Sequence, residues 1–267
     1  MATEADEPAA RIIREPRVYL VGRQAIDDAA LGRFLDDHGV SRWSTDTDEA
    51  GERLVEVAGR LCYMSFAKPR PGGNAAYIGH ILEVGHGSVL EHAVFNLVIA
   101  GVSRSFTHEL VRHRAGFGYS QLSQRFVDES TCDFVEPDAI AADPDLHRVW
   151  LDAIGHSQRA YRELAEGLME AFADVEDRTS RRKKAREAAR SVLPNATETK
   201  IFVTANARAL RHFIEMRGDV AADAEIRKVA LAVLTLLQAE SPNLFGDYTI
   251  VDLPDGGRAA TTPHRKV

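Results

Sequence analysis

Residues 145–174 and 221–240 carry apolar side chains at helical spacing over more turns than any other part of this chain. Strand-like runs, by contrast, are short, at 17–21, 93–100, 122–127, 197–204 and 248–251, and they do not alternate one for one with helices. A doubly wound parallel sheet requires that alternation. The expected class is therefore α+β: a helix-rich single domain built around a small mixed or antiparallel sheet. Further helices are expected at 27–37, 48–64, 75–84, from about 103 into 112–114, and at 178–192 and 206–217. In 48–64, Leu54, Val57, Ala58 and Leu61 share one face, and Cys62 falls in the same apolar pattern, which reads as core. Residues 68–74, KPRPGGN, have turn chemistry. Residues 1–16 and 254–267 read as a disordered lead-in and tail around a domain at 17–253.

Composition narrows the function classes. A net charge of −7 argues against general nucleic-acid binding, although local basic patches are compatible with it. Cys62 and Cys132 are the only cysteines, which rules out a disulfide scaffold and a cysteine zinc site. No apolar run reaches the roughly 20 residues of a membrane span, and the N-terminal stretch lacks the apolar core of a secretory signal. A soluble, cytoplasmic protein is expected.

The chemistry-bearing stretch is 112–126, RHRAGFGYSQLSQRF. Arg112, Arg114 and Arg125 bring three guanidinium groups with no acidic residue among them, and guanidinium forks match phosphate and carboxylate oxygens. Gly116 and Gly118 allow close backbone approach, while Tyr119, Ser120, Gln121 and Ser123 add neutral donors and acceptors. That inventory suits a nucleotide. A helix end whose cations answer the macrodipole explains the spacing equally well. Upstream, HGSVLEH at 86–92 does not offer the i, i+4 histidines of a helical zinc site, so no metal is expected. Downstream, Asn206 is a candidate helix N-cap. Arg208, Arg211, His212 and Glu215 fall on a polar face, and Leu210, Phe213 and Ile214 on an apolar one. Arg217 lies near the centre of the apolar face, where a cation must snorkel, pair with a carboxylate or meet a buried anion. RRKKAR at 181–186 reads as a solvated helix face.

RHR at 112–114 followed by QLSQR at 121–125, with HGSVLEH upstream and RSVLP at 190–194 and NARALRHF at 206–213 downstream, resembles the signature of the flavin-dependent thymidylate synthases, the ThyX family. Eight residues separate Arg114 from Ser123, one more than the family's usual spacing, so the intervening loop must take its own path. The resemblance implies reductive methylation of deoxyuridylate (dUMP) to thymidylate. Methylenetetrahydrofolate would supply the carbon, NADPH-reduced FAD the hydride, and tetrahydrofolate would leave. It implies a homotetramer with sites between subunits. It places Ser88, Arg112, His113, Arg114, Gln121, Asn206, Arg208 and His212 on the flavin, and His86 near the folate or nicotinamide. Glu109, Arg112, Gln121, Leu122, Ser123, Arg125, Arg190 and Arg217 would hold the nucleotide, with Arg217 polarising its ring. Cys62 reads as core and Cys132 lacks cationic neighbours in sequence, so neither resembles an activated thiolate, which accords with a flavin route. A flavin- or nucleotide-binding protein without transfer chemistry is the alternative, and a nucleic-acid module a more distant one.

Overall fold

The computed structural model describes residues 10–40, 43–67, 71–254 and 256–267. Its elements begin with β1 (Ile12–Ile13), β2 (Arg17–Gly22), α1 (Asp28–Asp37), α2 (Ala50–Leu61) and α3 (Gly73–Glu83). A 3-10 turn (Gly87–His92) leads to β3 (Val94–Ser103), α4 (Arg104–Leu110), β4 (Phe117–Gln121) and β5 (Phe134–Val135). Then come α5 (Asp138–Ala141), α6 (Pro144–Ala171), α7 (Arg178–Ala189) and a second 3-10 turn (Arg190–Val192). The chain closes with β6 (Glu198–Asn206), α8 (Ala207–Arg217), α9 (Ala224–Glu240), α10 (Pro242–Phe245), β7 (Thr249–Asp252) and β8 (Arg258–Thr261). One sheet has four strands in the order β2-β3-β6-β4, and two further sheets are the pairs β1-β5 and β7-β8. This is the helix-rich α+β class with small sheets. No helix among the described residues is long and apolar enough to cross a membrane.

The described residues form two compact units. Unit one draws on Met1–Arg17, Ile99–Glu109 and Ser120–Ile201, and unit two on Val18–Val98, Leu110–Tyr119 and Phe202–Val267. The break falls inside every strand of the four-stranded sheet.

In unit one, β1 pairs in parallel with β5, Ile12 opposite Phe134 and Ile13 opposite Val135. Cys132, Phe134 and Ile154 form a core against which Ala10, Ile12, Trp150 and Leu193 pack. Residues 10–16 are thus not the disordered lead-in expected, because two isoleucines flanked by charges have a partner strand some 120 positions on. Arg11 fastens this pairing through Asp133, 2.7 Å from Nη2 to Oδ2. Residues 1–9, the rest of that expectation, lie outside the described residues. Helix α6 starts as its sequence dictates: Pro144 takes the first turn and the Asp143 carboxylate accepts the Asp145 and Leu146 N–H groups.

Unit two buries the apolar faces of α8 and α9, among them Leu210, Phe213, Ile214, Ile226, Val229, Leu234 and Leu237. Helix α2 departs from the expected face. Leu61 is exposed, as is Cys62, while Glu52, Glu56 and Arg60 are buried. The inward charges are compensated. Glu56 accepts from Arg60 Nε at 2.7 Å, from the Thr45 hydroxyl and from Asn74 Nδ2, and Glu52 accepts from Thr47 and Asn243. A buried charge tolerates such a site only when partnered in this way. The expected tail is also ordered. Strand β8 pairs antiparallel with β7 and buries Ala259 and Ala260. Beyond it, the Lys266 N–H donates to Glu215 Oε2 at 2.9 Å. Of the expected loop at 68–74, residues 68–70 lie outside the described residues, and α3 already begins at Gly73.

Candidate active site

In unit two, the loop after α4 rests on the start of α8. Helix α4 ends at Leu110, so the expected helix into 112–114 stops short, and Arg112, His113 and Arg114 stand on the turn beyond it. Arg112 therefore lies beyond α4 and shares no helical face with Arg104 and His108. The Tyr119 hydroxyl closes this turn, lying 2.6 Å from the His113 carbonyl and 3.0 Å from that of Leu110. Burial pushes the Tyr119 hydroxyl well above its ordinary range, which keeps it a donor. Gly116 adopts φ +74°, and its carbonyl accepts the Asn206 N–H at 3.1 Å. A β-carbon at Gly116 would come within 2.7 Å of Asn206 Nδ2, so only glycine permits this approach. Asn206 caps α8, its side chain accepting the Ala209 N–H at 2.9 Å. The N-cap reading of Asn206 therefore holds.

His113 is packed edge-on against Phe213, with ring centroids 5.3 Å apart, and against His212 at 5.9 Å. Arg217 Nε donates to His113 Nε2 at 3.0 Å. For Nε2 to accept, the imidazole must be neutral with its proton on Nδ1. Arg217 is thus half-buried and held by a ring nitrogen at the far end of α8. His113, His212 and Arg217 form one group, while Asn206 caps the opposite, N-terminal end of α8. Arg208 lies at the other end of the helix, paired with Glu91 at 2.6 Å and close against Gly87 of the first 3-10 turn. His86 and Ser88 flank Gly87 and are exposed, as are Arg112 and Arg114. Arg211 was expected on the polar face and is instead buried. It forks onto Asp247 at 2.6 and 2.8 Å, because a carboxylate and the Tyr248 ring await it inside.

In unit one, the Gln121 amide donates to the Thr107 hydroxyl at 3.1 Å, and the Leu122 N–H donates to the Lys200 carbonyl at 2.9 Å. Residues 122–127 were expected to be extended. They form a turn instead, with the N–H groups of Phe126 and Val127 both donating to the Ser123 carbonyl. The extended segment is β4, five residues earlier. The turn presents Ser123 and Arg125. Arg125 pairs with Glu187 at 2.7 Å, yet its Nε is buried without a hydrogen-bond partner. Gln124 Nε2 and Glu129 Oε1 are in the same condition. Three of the six such buried side-chain atoms among the described residues thus fall within residues 124–129. Two of the three, on Gln124 and Arg125, are donors, and unsatisfied buried donors on adjacent residues fit a ligand rich in acceptor oxygens. Glu109, half-buried at the end of α4, and Arg190, in the second 3-10 turn, belong to this unit too. The basic run at 181–186 is only partly solvated: Arg181 caps the Ala173 and Val175 carbonyls and Arg186 holds Asp128 at 2.7 Å.

Of the two cysteine expectations, the one for Cys62 fails and the one for Cys132 holds. Cys62 is exposed rather than core, because its helix turns a charged face inward. Cys132 is buried, and burial first of all pushes its thiol up to about 12, the reverse of an activated nucleophile.

The family model described as "Thymidylate synthase complementing protein" matches residues 45–243. A protein of Mycobacteroides abscessus named "Flavin-dependent thymidylate synthase" is 53% identical over 223 residues, covering 83% of this chain and 88% of that protein. This chain belongs to the flavin-dependent thymidylate synthase family. A Corynebacterium glutamicum protein of the same name is 50% identical over 224 residues, covering 83% of this chain and 89% of that one. Among solved structures, a UMP/dUMP methylase, PolB, from Streptomyces cacaoi bound with 5-Br dUMP matches with a TM-score of 0.63 at 21% identity. It covers 88% of this chain and 95% of its own, which is a likeness of fold. Glu129 and Arg104 were not singled out as site residues from the sequence. A lone acid and a lone arginine in separate segments carry no local signal, and only the pairing of those segments brings them together.

Proposed function

We propose that this protein is a flavin-dependent thymidylate synthase that methylates dUMP to dTMP with methylenetetrahydrofolate, using FAD and NADPH, and releases tetrahydrofolate. The observation that carries this reading is the half-identity to proteins of that name over more than four-fifths of the chain. The donor set of unit two suits a flavin diphosphate: Arg112, Arg114 and Arg208 supply cations, and Asn206, His212 and Ser88 neutral polar groups. FAD, once bound, supplies the hydride chemistry. His113, packed against Phe213 and accepting from Arg217, fixes the guanidinium of Arg217 in place. Arg217 then stabilises negative charge as it develops on the pyrimidine, a preorganised electrostatic role. Gln121, Leu122, Ser123, Arg125 and Arg190 grip the nucleotide, with Glu109 and Arg112 at its edge. His86 stands near the folate or nicotinamide. The working form is a cytoplasmic homotetramer with sites between subunits.

Purified protein should show flavin absorption and release tritium from dUMP labelled at C5. Arg217→Ala should retain flavin and lose tritium release by about 100-fold or more, the scale for removing one preorganised donor. Undiminished release would refute the role of Arg217. A yellow protein that releases no tritium under any condition would leave only flavin binding.

A further inference from the structure

Glu129 has no part in the chemistry above, yet it is 4% exposed and its Oε1 is buried without a hydrogen-bond partner. An unsatisfied carboxylate oxygen is costly and calls for an account. Hydrogen bonds fix its surroundings. The Glu198 N–H donates to the Asp133 carbonyl at 2.9 Å, tying the turn at 128–133 to β6, and the Arg104 N–H donates to the Thr197 carbonyl at 3.0 Å, tying α4 to the same place. Four charged groups face Glu129: Arg104 from α4, Glu198 and Lys200 from β6, and Asp128 from its own turn. From α6, the Tyr161 hydroxyl accepts the Glu129 N–H at 3.4 Å, and the Cys132 thiol completes the titratable neighbours. Lys200 is largely taken up by Glu198, 2.7 Å away.

Arg104 in turn feels the charge of Arg190. Arg104 is therefore the guanidinium that feels both the carboxylate of Glu129 and the like charge of Arg190. Burial holds the Glu129 carboxyl up to about 7, and burial also lowers the Arg104 guanidinium, against the pull of Glu129. Before an anion binds, the ionised carboxylate balances the arginine pair. A phosphate dianion on Arg190 supplies that balance itself and repels the Glu129 carboxylate.

We propose that Glu129 is a positioning residue for the nucleotide phosphate, balancing the Arg104–Arg190 pair while ionised and drawing its proton from solvent as the phosphate arrives. The proposal rests on the assignment of Arg190 to the nucleotide. One O–H bond forms on the carboxylate and nothing else changes hands.

The test is titration calorimetry of the FAD-loaded enzyme with dUMP, from pH 6 to 9, in buffers of different ionisation enthalpy. The phosphate's own second ionisation, near pH 6, is common to all variants and cancels in the comparison. At pH 7 the wild type should take up more protons per site than Glu129→Gln, by a few tenths and at most about half a proton for a half-titrated group. Its dUMP affinity should fall more steeply with rising pH, leaving Glu129→Gln several-fold tighter at pH 8.5. Glu129→Asp keeps a titrating carboxylate and should restore the proton uptake. Equal uptake and equal pH slopes in wild type and Glu129→Gln would overturn the proposal, as would a uniform loss of affinity at every pH. Arg190→Ala separates the two layers. If it binds dUMP normally, the assignment of Arg190 has failed. If it abolishes binding while wild type and Glu129→Gln behave alike, only the role of Glu129 has failed.

Discussion

Replacing Asp247 with Asn should destabilise the protein heavily, and the structure supplies the reason. The Arg211 side chain is 2% exposed and that of Asp247 12%. Two charge-assisted bonds of 2.6 and 2.8 Å join them, a third runs from Arg211 to the Leu244 carbonyl at 2.7 Å, and the guanidinium lies 4.8 Å above the Tyr248 ring. Asn can replace one acceptor but not the charge, so a buried cation is left uncompensated. Breaking a buried pair in this way costs about 3–5 kcal/mol. Arg211→Met with Asp247→Leu removes both charges and should recover most of that loss. The pH dependence has a definite sign. Burial raises the Asp247 carboxyl, but Arg211 and the Thr262 hydroxyl outweigh it and hold the group below the ordinary carboxylate value. Stability from a depressed acid is complete above its unfolded value and is lost as pH falls through the folded one. The wild type should therefore lose stability relative to Asp247→Asn only in acid, below about pH 4. Urea unfolding at pH 7.5 and along an acid series measures both effects. A cost below about 1 kcal/mol, or single-mutant costs that simply add in the double mutant, would refute this account.

Asn206→Ala removes the α8 cap and should cost about 1 kcal/mol in thermal unfolding, and it should weaken retention of flavin through gel filtration. Gly116→Ala places a β-carbon against Asn206 and Ala209 at φ +74°, so it should cost at least about 1–2 kcal/mol, read by the same melt. A thiol reagent at pH 8 should titrate the exposed Cys62 and spare Cys132 until denaturant is added, and Cys132→Ser should keep tritium release. Rapid native labelling of Cys132 would contradict its burial.

Much of this fold is legible in the sequence because helical periodicity is a local signal. The long helices at α6 and α9 and the capped start of α8 lie where their spacing and capping residues put them. What escapes are features that depend on partners far along the chain. Ile12 and Ile13 read as a fragment of lead-in until Phe134 and Val135 are beside them. Glu52, Glu56 and Arg60 look like the outer face of α2, and only Asn74, Thr45 and Asn243 make it the inner one. Arg211 is misread for the same reason, since Asp247 and Tyr248 come more than thirty residues later. In the candidate site, the cationic run at 112–125 is visible as chemistry. Its shape is not, because β4 starts within it and a turn follows where extension was expected. Glu129 is invisible altogether, a single acid whose meaning comes from α4 and β6.

The interleaving of the two units also bears on how the polypeptide comes off the ribosome. Unit two needs residues 18–98, the short segment Leu110–Tyr119 and, after a further long excursion through the other unit, everything from Phe202 onward. Its early helices must wait, half-covered, while more than a hundred intervening residues are made. Closure of contacts so distant in sequence is slow, and at translation speeds of roughly 5–20 residues per second the wait lasts several seconds. Neither unit can be excised as one continuous peptide, so truncation from either end should yield an aggregating chain rather than a smaller folded one.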